Sequence, residues 1–266
     1  MENLKHILNP VKVVPLSSIV GNKFKTNSDN THVVVVETED GPKIVHHCSK
    51  DYGLTPNEKI LASISPLVEK VSKFEVTASS YKDAVFKISL NFKTGKTAVQ
   101  KGDVVSPRID IYNSYNGKYR YAIKLGVYRL VCTNGMVAPF TSHSTSKKHT
   151  SGLVETLDGL NMEVLENFLE TFPTLIEPFE ILSMKKVNDI SFRVEEVIEN
   201  TSFPVSLVND VLDRIKQEEK LLKSIPNDWL VYNGFNYQLN HSELIEKLPH
   251  KKAEIDREVA NYLMAH

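Results

Sequence analysis

The pattern of apolar and polar positions changes character near residue 150. Before it, apolar residues alternate with polar ones and turn signals are frequent. After it, apolar residues recur every three to four positions, as on one face of a helix. Thr31–Thr38 and Lys43–Ser49 read as strands joined by Glu39-Asp40-Gly41-Pro42, a hairpin with four loop residues. Pro56–Val71 reads as a helix, with Ile60, Leu61, Ile64, Leu67 and Val71 on one face and Pro66 placed to kink it. Thr55, followed three positions later by Glu58, is the expected cap of that helix. From Lys73 the strands return. Phe86, Ile88, Leu90 and Phe92 alternate with Val85, Lys87, Ser89 and Asn91, the mark of a half-buried strand.

Lys93–Asp103 reads as a loop. Arg108–Asn113 and Lys118–Leu125 then flank Ser114-Tyr115-Asn116-Gly117, where Asn-Gly is a strong hairpin signal. Val127–Thr133 is expected as a further strand, and Thr141–Gly152 as a polar loop. The helical part opens with a stripe of Leu160, Val164, Leu165, Phe168, Leu169 and Phe172, stopped by Pro173, with Pro178 punctuating the next segment. Val208, Val211, Leu212, Ile215 and Leu222 define a second helix, and Lys251–Ala265 a last one. The expectation is an α+β protein. Residues 1–150 form an antiparallel β-rich domain with one helix, and residues 151–266 a mostly helical region packed on it or following it.

Composition sharpens this division. The 266 residues carry a net charge of −1, but residues 1–150 hold 21 Lys and Arg against 12 Asp and Glu. The remainder holds 11 basic residues against 21 acidic ones, so a basic half precedes an acidic half. Such asymmetry suits a polyanion binder or a charge-directed assembly, although lysine on a sheet surface also serves solubility. No apolar run approaches the roughly 18 residues of a membrane helix, and the first six residues do not open a secretory signal. Two cysteines, Cys48 and Cys132, are too few for a disulfide framework and fit a reducing, cytoplasmic setting.

Catalytic and cofactor signals are weak. Gly95-Lys96-Thr97 imitates the end of a phosphate-binding loop, but the glycine required five residues earlier is Leu90. His46, His47, Cys48, Cys132, His143 and His149 are metal-ligating types without metal-ligating spacing. Asp103 and Asp110 are the only acids between residues 84 and 154, too far apart along the chain to define a catalytic pair. The expectation is therefore no catalytic residue, no metal and no cofactor.

The segment from Arg108 to Arg129 differs in kind. It holds five of the ten tyrosines, Tyr112, Tyr115, Tyr119, Tyr121 and Tyr128, interleaved with Arg108, Lys118, Arg120, Lys124 and Arg129. Alternation places Tyr119, Tyr121, Ile123 and Leu125 on one face, and Lys118, Arg120 and Lys124 on the other. Cations in a row neutralise phosphates, and tyrosines stack on unpaired bases, which duplex nucleic acid does not offer. Arg108, Lys118, Arg120, Lys124 and Arg129 are the expected phosphate contacts, and Tyr119 and Tyr121 the stacking candidates. Lys93, Lys96 and Lys101 form a secondary patch. Tyrosine also serves as a sheet-core residue, so the same pattern can describe packing.

The stretch Pro107–Gly117, with Asn113-Ser114-Tyr115-Asn116-Gly117, and then Arg129-Leu130-Val131-Cys132-Thr133-Asn134, resembles the phage/plasmid-like proteins grouped as domain of unknown function 932. His149-Thr150, and Trp229–Gly234 ahead of His241, look like downstream features of that family. The resemblance implies a mobile-element setting and no defined chemistry. By analogy of fold the chain is also similar to phage single-strand annealing proteins, which implies association into rings or filaments. The combined expectation is a non-catalytic single-stranded DNA-binding or annealing protein acting in replication or recombination, with RNA as another polymer. A protein–protein module, such as a phage inhibitor of a host defence enzyme, is the alternative; its acidic helices would imitate nucleic acid.

Overall fold

Four consecutive valines, Val33–Val36, are all buried, which an edge strand open to water on one face would not allow. They lie in strand β2 (His32–Thr38), the middle of a three-stranded antiparallel sheet with β1 (Val11–Pro15) and β3 (Gly41–Cys48) on either side. The computed structural model describes residues 7–21, 29–70, 74–81, 84–93, 95–129, 134–137, 145–242 and 249–266. Thr38 pairs with Gly41, so the β2–β3 loop is the two residues Glu39 and Asp40, not four. A register shift between Val34 and Val35 marks a bulge in the ladder. The architecture is α+β, with antiparallel strands and many helices.

The chain gathers into two compact units that interleave along the sequence. The first unites residues 1–94, 109–125 and 143–169, and the second residues 95–108, 126–142 and 170–266. Each thus draws on both sides of position 150. The change of pattern at that position marks the start of a helix.

In the first unit, the one-turn helix α1 (Ser17–Val20) precedes β2, and helix α2 (Asn57–Lys70) follows β3 and runs through Pro66. Then come β4 (Phe74–Tyr81) and β5 (Val85–Phe92), paired antiparallel. The strand order is β10-β8-β7-β5-β4, with β7 (Asp103–Ser114), β8 (Tyr121–Arg129) and β10 (Thr145–Lys147). Phe86, Ile88, Leu90 and Phe92 are buried, but so are Ser89 and Asn91, so from Ile88 onward β5 is covered on both faces and not half-buried as expected. β8 continues without a break through Gly126, and β10 arises within the stretch expected to be a polar loop. The expected Thr55 cap is not made. The Thr55 hydroxyl donates to the Gly53 carbonyl at 3.3 Å, and the Asn57 amide donates to Tyr115 Oη at 2.8 Å.

The second unit contains the Asp103–Arg108 part of β7, β6 (Thr97–Gln100) paired to it, and the pairing of β8 with β9 (Asn134–Val137). Its helices are the end of α3 (Ser151–Met184), α4 (Ile190–Glu199), α5 (Val208–Leu222), α6 (Asp228–His241) and α7 (Pro249–Ala265). Helix α3 does not stop at Pro173; it passes both Pro173 and Pro178 over 34 residues. Each proline forfeits one backbone bond, while the buried stripe of Phe168, Phe172, Ile176, Phe179 and Leu182 keeps the helical spacing intact. Phe179 lies 5.0 Å from Trp229, and Phe203 meets Phe235 edge-on at 4.8 Å. A Cβ at Gly234 would stand 2.6 Å from Ile215, so only glycine allows α5 and α6 to approach this closely. Asp189 and Asn227 cap α4 and α6, accepting from the amides of Phe192 and Leu230 at 3.0 Å. Among the described residues, no helix is long and apolar enough to cross a membrane.

Candidate nucleic-acid interface

The connection between β7 and β8 spans the six residues 115–120, where the four residues Ser114–Gly117 were expected. Tyr115 explains the difference. It turns inward, 1% exposed, and its ring lies 4.7 Å from that of Phe86. Burial pushes its phenol up to about 12. Asn113 Nδ2 donates to the Thr55 carbonyl and to Asn57 Oδ1, both at 2.8 Å, so β7 is fixed to the start of α2. Ser114 Oγ then closes the loop, donating to the Tyr119 carbonyl at 2.9 Å and accepting from its amide at 3.1 Å. Asn116 Oδ1 accepts from the Lys118 amide, and Gly117 takes the left-handed conformation with φ of 70°.

A ring cluster supports this loop from below. A Cβ on Gly117 would stand 2.7 Å from the imidazole of His46, so the loop rests directly on that ring. His46 lies 5.3 Å from Tyr52, and Tyr52 lies 5.7 Å from His149. His149 Nε2 is 3.2 Å from the Tyr119 carbonyl and donates to it when protonated at that nitrogen. Burial lowers the pKa of His149, outweighing the carbonyls of Tyr119 and Gly53. Burial, with the neighbouring His47, also lowers that of His46. Both rings are therefore neutral near pH 7 and act as packing and hydrogen-bonding supports. Among the described residues, no three His, Cys, Asp or Glu side chains converge to hold a metal. Cys132 and His143 lie outside the described residues.

The outcome is a platform of three consecutive exposed side chains, Lys118, Tyr119 and Arg120, with Tyr119 45% exposed. Tyr119 escapes the strand alternation because β8 begins only at Tyr121. Tyr121, expected to stack on bases, is fully buried beside Ile123 and Leu125 in the sheet core. Lys124 is half-buried, its Nζ 5.0 Å from the Tyr112 ring, which Lys87 also approaches at 5.6 Å. Burial lowers the Lys124 pKa, with Asp110 opposing and Lys87 reinforcing that shift. Asp110 pairs with Lys87 at 3.0 Å. Lys93 is exposed.

In the second unit, Lys96 and Lys101 are exposed, and the half-buried Arg108 lies 6.0 Å from the Tyr128 ring. Arg129 departs from expectation. It is 0% exposed, donating from Nε to Asp103 Oδ1 at 2.7 Å, and also to Asp103 Oδ2 and Glu218 Oε2. Trp229 Nε1 donates to Asp103 Oδ2 at 2.7 Å, and Arg214 pairs with Glu218 at 2.8 Å. A guanidinium taken out of water must be neutralised by partners, and two carboxylates achieve that here. Arg129 thus serves the interior and reaches no polymer.

The structure therefore brings Lys118, Tyr119 and Arg120 together and removes Tyr121 and Arg129 from the expected track. The supporting roles of Ser114, His46 and His149 have no sequence signature; the Asn116-Gly117 pair signalled only the turn. A family model described as Domain of unknown function (DUF932) matches residues 45–221. No curated protein and no solved structure matches the chain.

Proposed function

The chain belongs to the DUF932 family, whose description names no activity, and from its own surface we propose that it binds single-stranded DNA without a catalytic step. One observation carries this reading: an exposed tyrosine, flanked on both sides by exposed cations, stands on a loop held by side-chain hydrogen bonds. Cations contact phosphates whatever the sequence, and an exposed ring stacks on any unpaired base, worth about 1–3 kcal/mol each. A loop whose shape is fixed beforehand loses less conformational freedom on binding. Strand annealing, a phage or plasmid setting and assembly into rings or filaments extend the same proposal.

Titrating labelled oligothymidylate with the protein at two salt concentrations tests it. The double variant K118E/R120E is expected to bind roughly tenfold or more weakly, and its salt slope to fall by about 1.4, two contacts at about 0.7 each. A duplex of equal length is expected to bind less tightly than the single strand. Unchanged affinity in a folded K118E/R120E protein, or no strand affinity in the unaltered one, overturns the reading.

A further inference from the structure

The turn after β6 and the segments that end α3 and α5 enclose a cleft of about 400 Å³, a volume suited to a small organic ligand. All its residues come from the second unit, and none belongs to the Lys118–Arg120 platform. Lys101, Lys186 and Lys223 line it, and no carboxylate does. Lysines near helix C-termini complement the helix dipole, which accounts for Lys186 and Lys223. It does not account for Lys101, which lies in the turn between two strands.

Two buried donors in the lining strengthen the case. Asn227 spends its Oδ1 on the α6 cap, so its Nδ2 is the atom that donates to Gln100 Oε1 at 2.8 Å. That bond fixes the Gln100 amide and leaves Nε2 as a donor with no acceptor among the described residues. Among the described residues, Ser224 Oγ is buried without a partner as well. Unsatisfied buried donors are uncommon in folded proteins and call for an explanation at each site. Lys223 adds a third irregularity: it ends α5 at φ of 50°, a conformation that glycine adopts without strain. Ile225 in the same wall is 66% exposed, an apolar surface left to water.

Three ammonium groups, two unmatched donors and an apolar wall define complementary chemistry. We propose that this cleft binds a phosphate ester with an apolar or planar body, of the size of a mononucleotide. The phosphate oxygens accept from the lysines and, as the cleft adjusts, from Gln100 Nε2 and Ser224 Oγ; the body lies along Ile225. A free nucleotide and the phosphorylated end of a strand share this chemistry.

Calorimetric titration of the full chain with thymidine 5′-monophosphate, thymidine and inorganic phosphate tests the site. Thymidylate is expected to bind more tightly than either of the others, and K186E/K223E, two exposed positions, to weaken it roughly tenfold or more. S224A, a smaller change, is expected to weaken it several-fold. Thymidylate binding is expected to survive K118E/R120E, so this proposal and strand binding by the platform fail separately. A 5′-phosphorylated oligothymidylate that outbinds its 5′-hydroxyl form, with the advantage lost in K186E/K223E, identifies a strand end as the ligand. Equal binding of the two oligomers, with thymidylate still bound, identifies the free nucleotide. Absence of thymidylate binding, or binding unaffected by K186E/K223E, overturns the proposal.

Discussion

The β7–β8 hairpin handles positive charge in opposite ways at its two ends. At the 115–120 connection, Lys118 and Arg120 flank an exposed tyrosine, and the bonds that shape the loop come from Ser114, Asn116 and His149. Hydroxyl, amide and imidazole groups fix the geometry of that loop, and both cations stay exposed. At the other end, Arg129 also has an aromatic neighbour, Trp229 at 5.4 Å, yet two carboxylates meet it and no solvent does. A cation beside an aromatic ring therefore has no fixed meaning. Whether acids arrive from elsewhere in the chain decides whether it faces outward to water or inward to the core.

Breaking the inner end tests the comparison most severely. R129M leaves Asp103 and Glu218 buried, with Arg214, itself mostly buried, to offset Glu218 among the described residues, and removal of one partner from a buried pair costs about 3–5 kcal/mol. Urea unfolding is expected to show a loss of that size. Adding D103N and E218Q removes the stranded charges while leaving Trp229 Nε1 an acceptor, and is expected to recover more than half of it. A loss below about 1 kcal/mol in R129M would mean that the guanidinium is solvated, and the contrast between the two ends would disappear.

Local pattern was enough to place much of the sheet. Alternation put Tyr121, Ile123 and Leu125 on one face, which is buried, and an unbroken apolar run marked β2, whose valines are buried throughout. The role of Arg129 was not legible, because Asp103 lies 26 positions before it and Glu218 lies 89 after it. Counting charge along a strand cannot register partners that only folding delivers. Helix α6 was hidden for a different reason. Trp229, Leu230, Val231, Tyr232, Asn233, Gly234, Phe235 and Asn236 are all buried, so over its first two turns the helix has no wet face to produce a period. Tyr119 was legible as an aromatic amid cations. Its exposure depended on where β8 begins, and the inward turn of Tyr115 determines that.

A second buried carboxyl sharpens the contrast, since its hydrogen-bond partners are neutral groups. Asp256 Oδ1 accepts from Tyr232 Oη at 3.1 Å and from Asn236 Nδ2 at 2.9 Å. Burial raises its pKa to about 6, against those bonds and the charges of Lys252 and Arg257. The folded state thus holds the proton more tightly than the unfolded one. The stability this contributes is complete below the unfolded value near 4 and is lost as pH rises through about 6. A gap of about two units corresponds to about 3 kcal/mol. D256N keeps a neutral acceptor in place, so it is expected to stabilise the protein by up to that amount near pH 8 and by little near pH 4. Urea midpoints at the two pH values measure this, and an equal effect at both would show that Asp256 is not the titrating group.

The smallest effect separates surface from support at the outer end. Tyr119 is exposed, and its backbone makes the loop-closing bonds to Ser114 and His149. Y119A keeps those bonds, so its unfolding free energy is expected to stay within about 0.5 kcal/mol of the unaltered protein. Its affinity for oligothymidylate is expected to drop by about 1–2 kcal/mol, the loss of one stacked base, with the salt slope unchanged because no cation is removed. S114A acts the other way: it deletes the closing hydroxyl and leaves the ring, so it weakens binding only through misplacement of the loop. Y119F restores the ring without the phenol and is expected to restore affinity in full. A Y119F protein as weak as Y119A would assign the contact to the hydroxyl, and the outer end would then bind by hydrogen bonding in place of stacking.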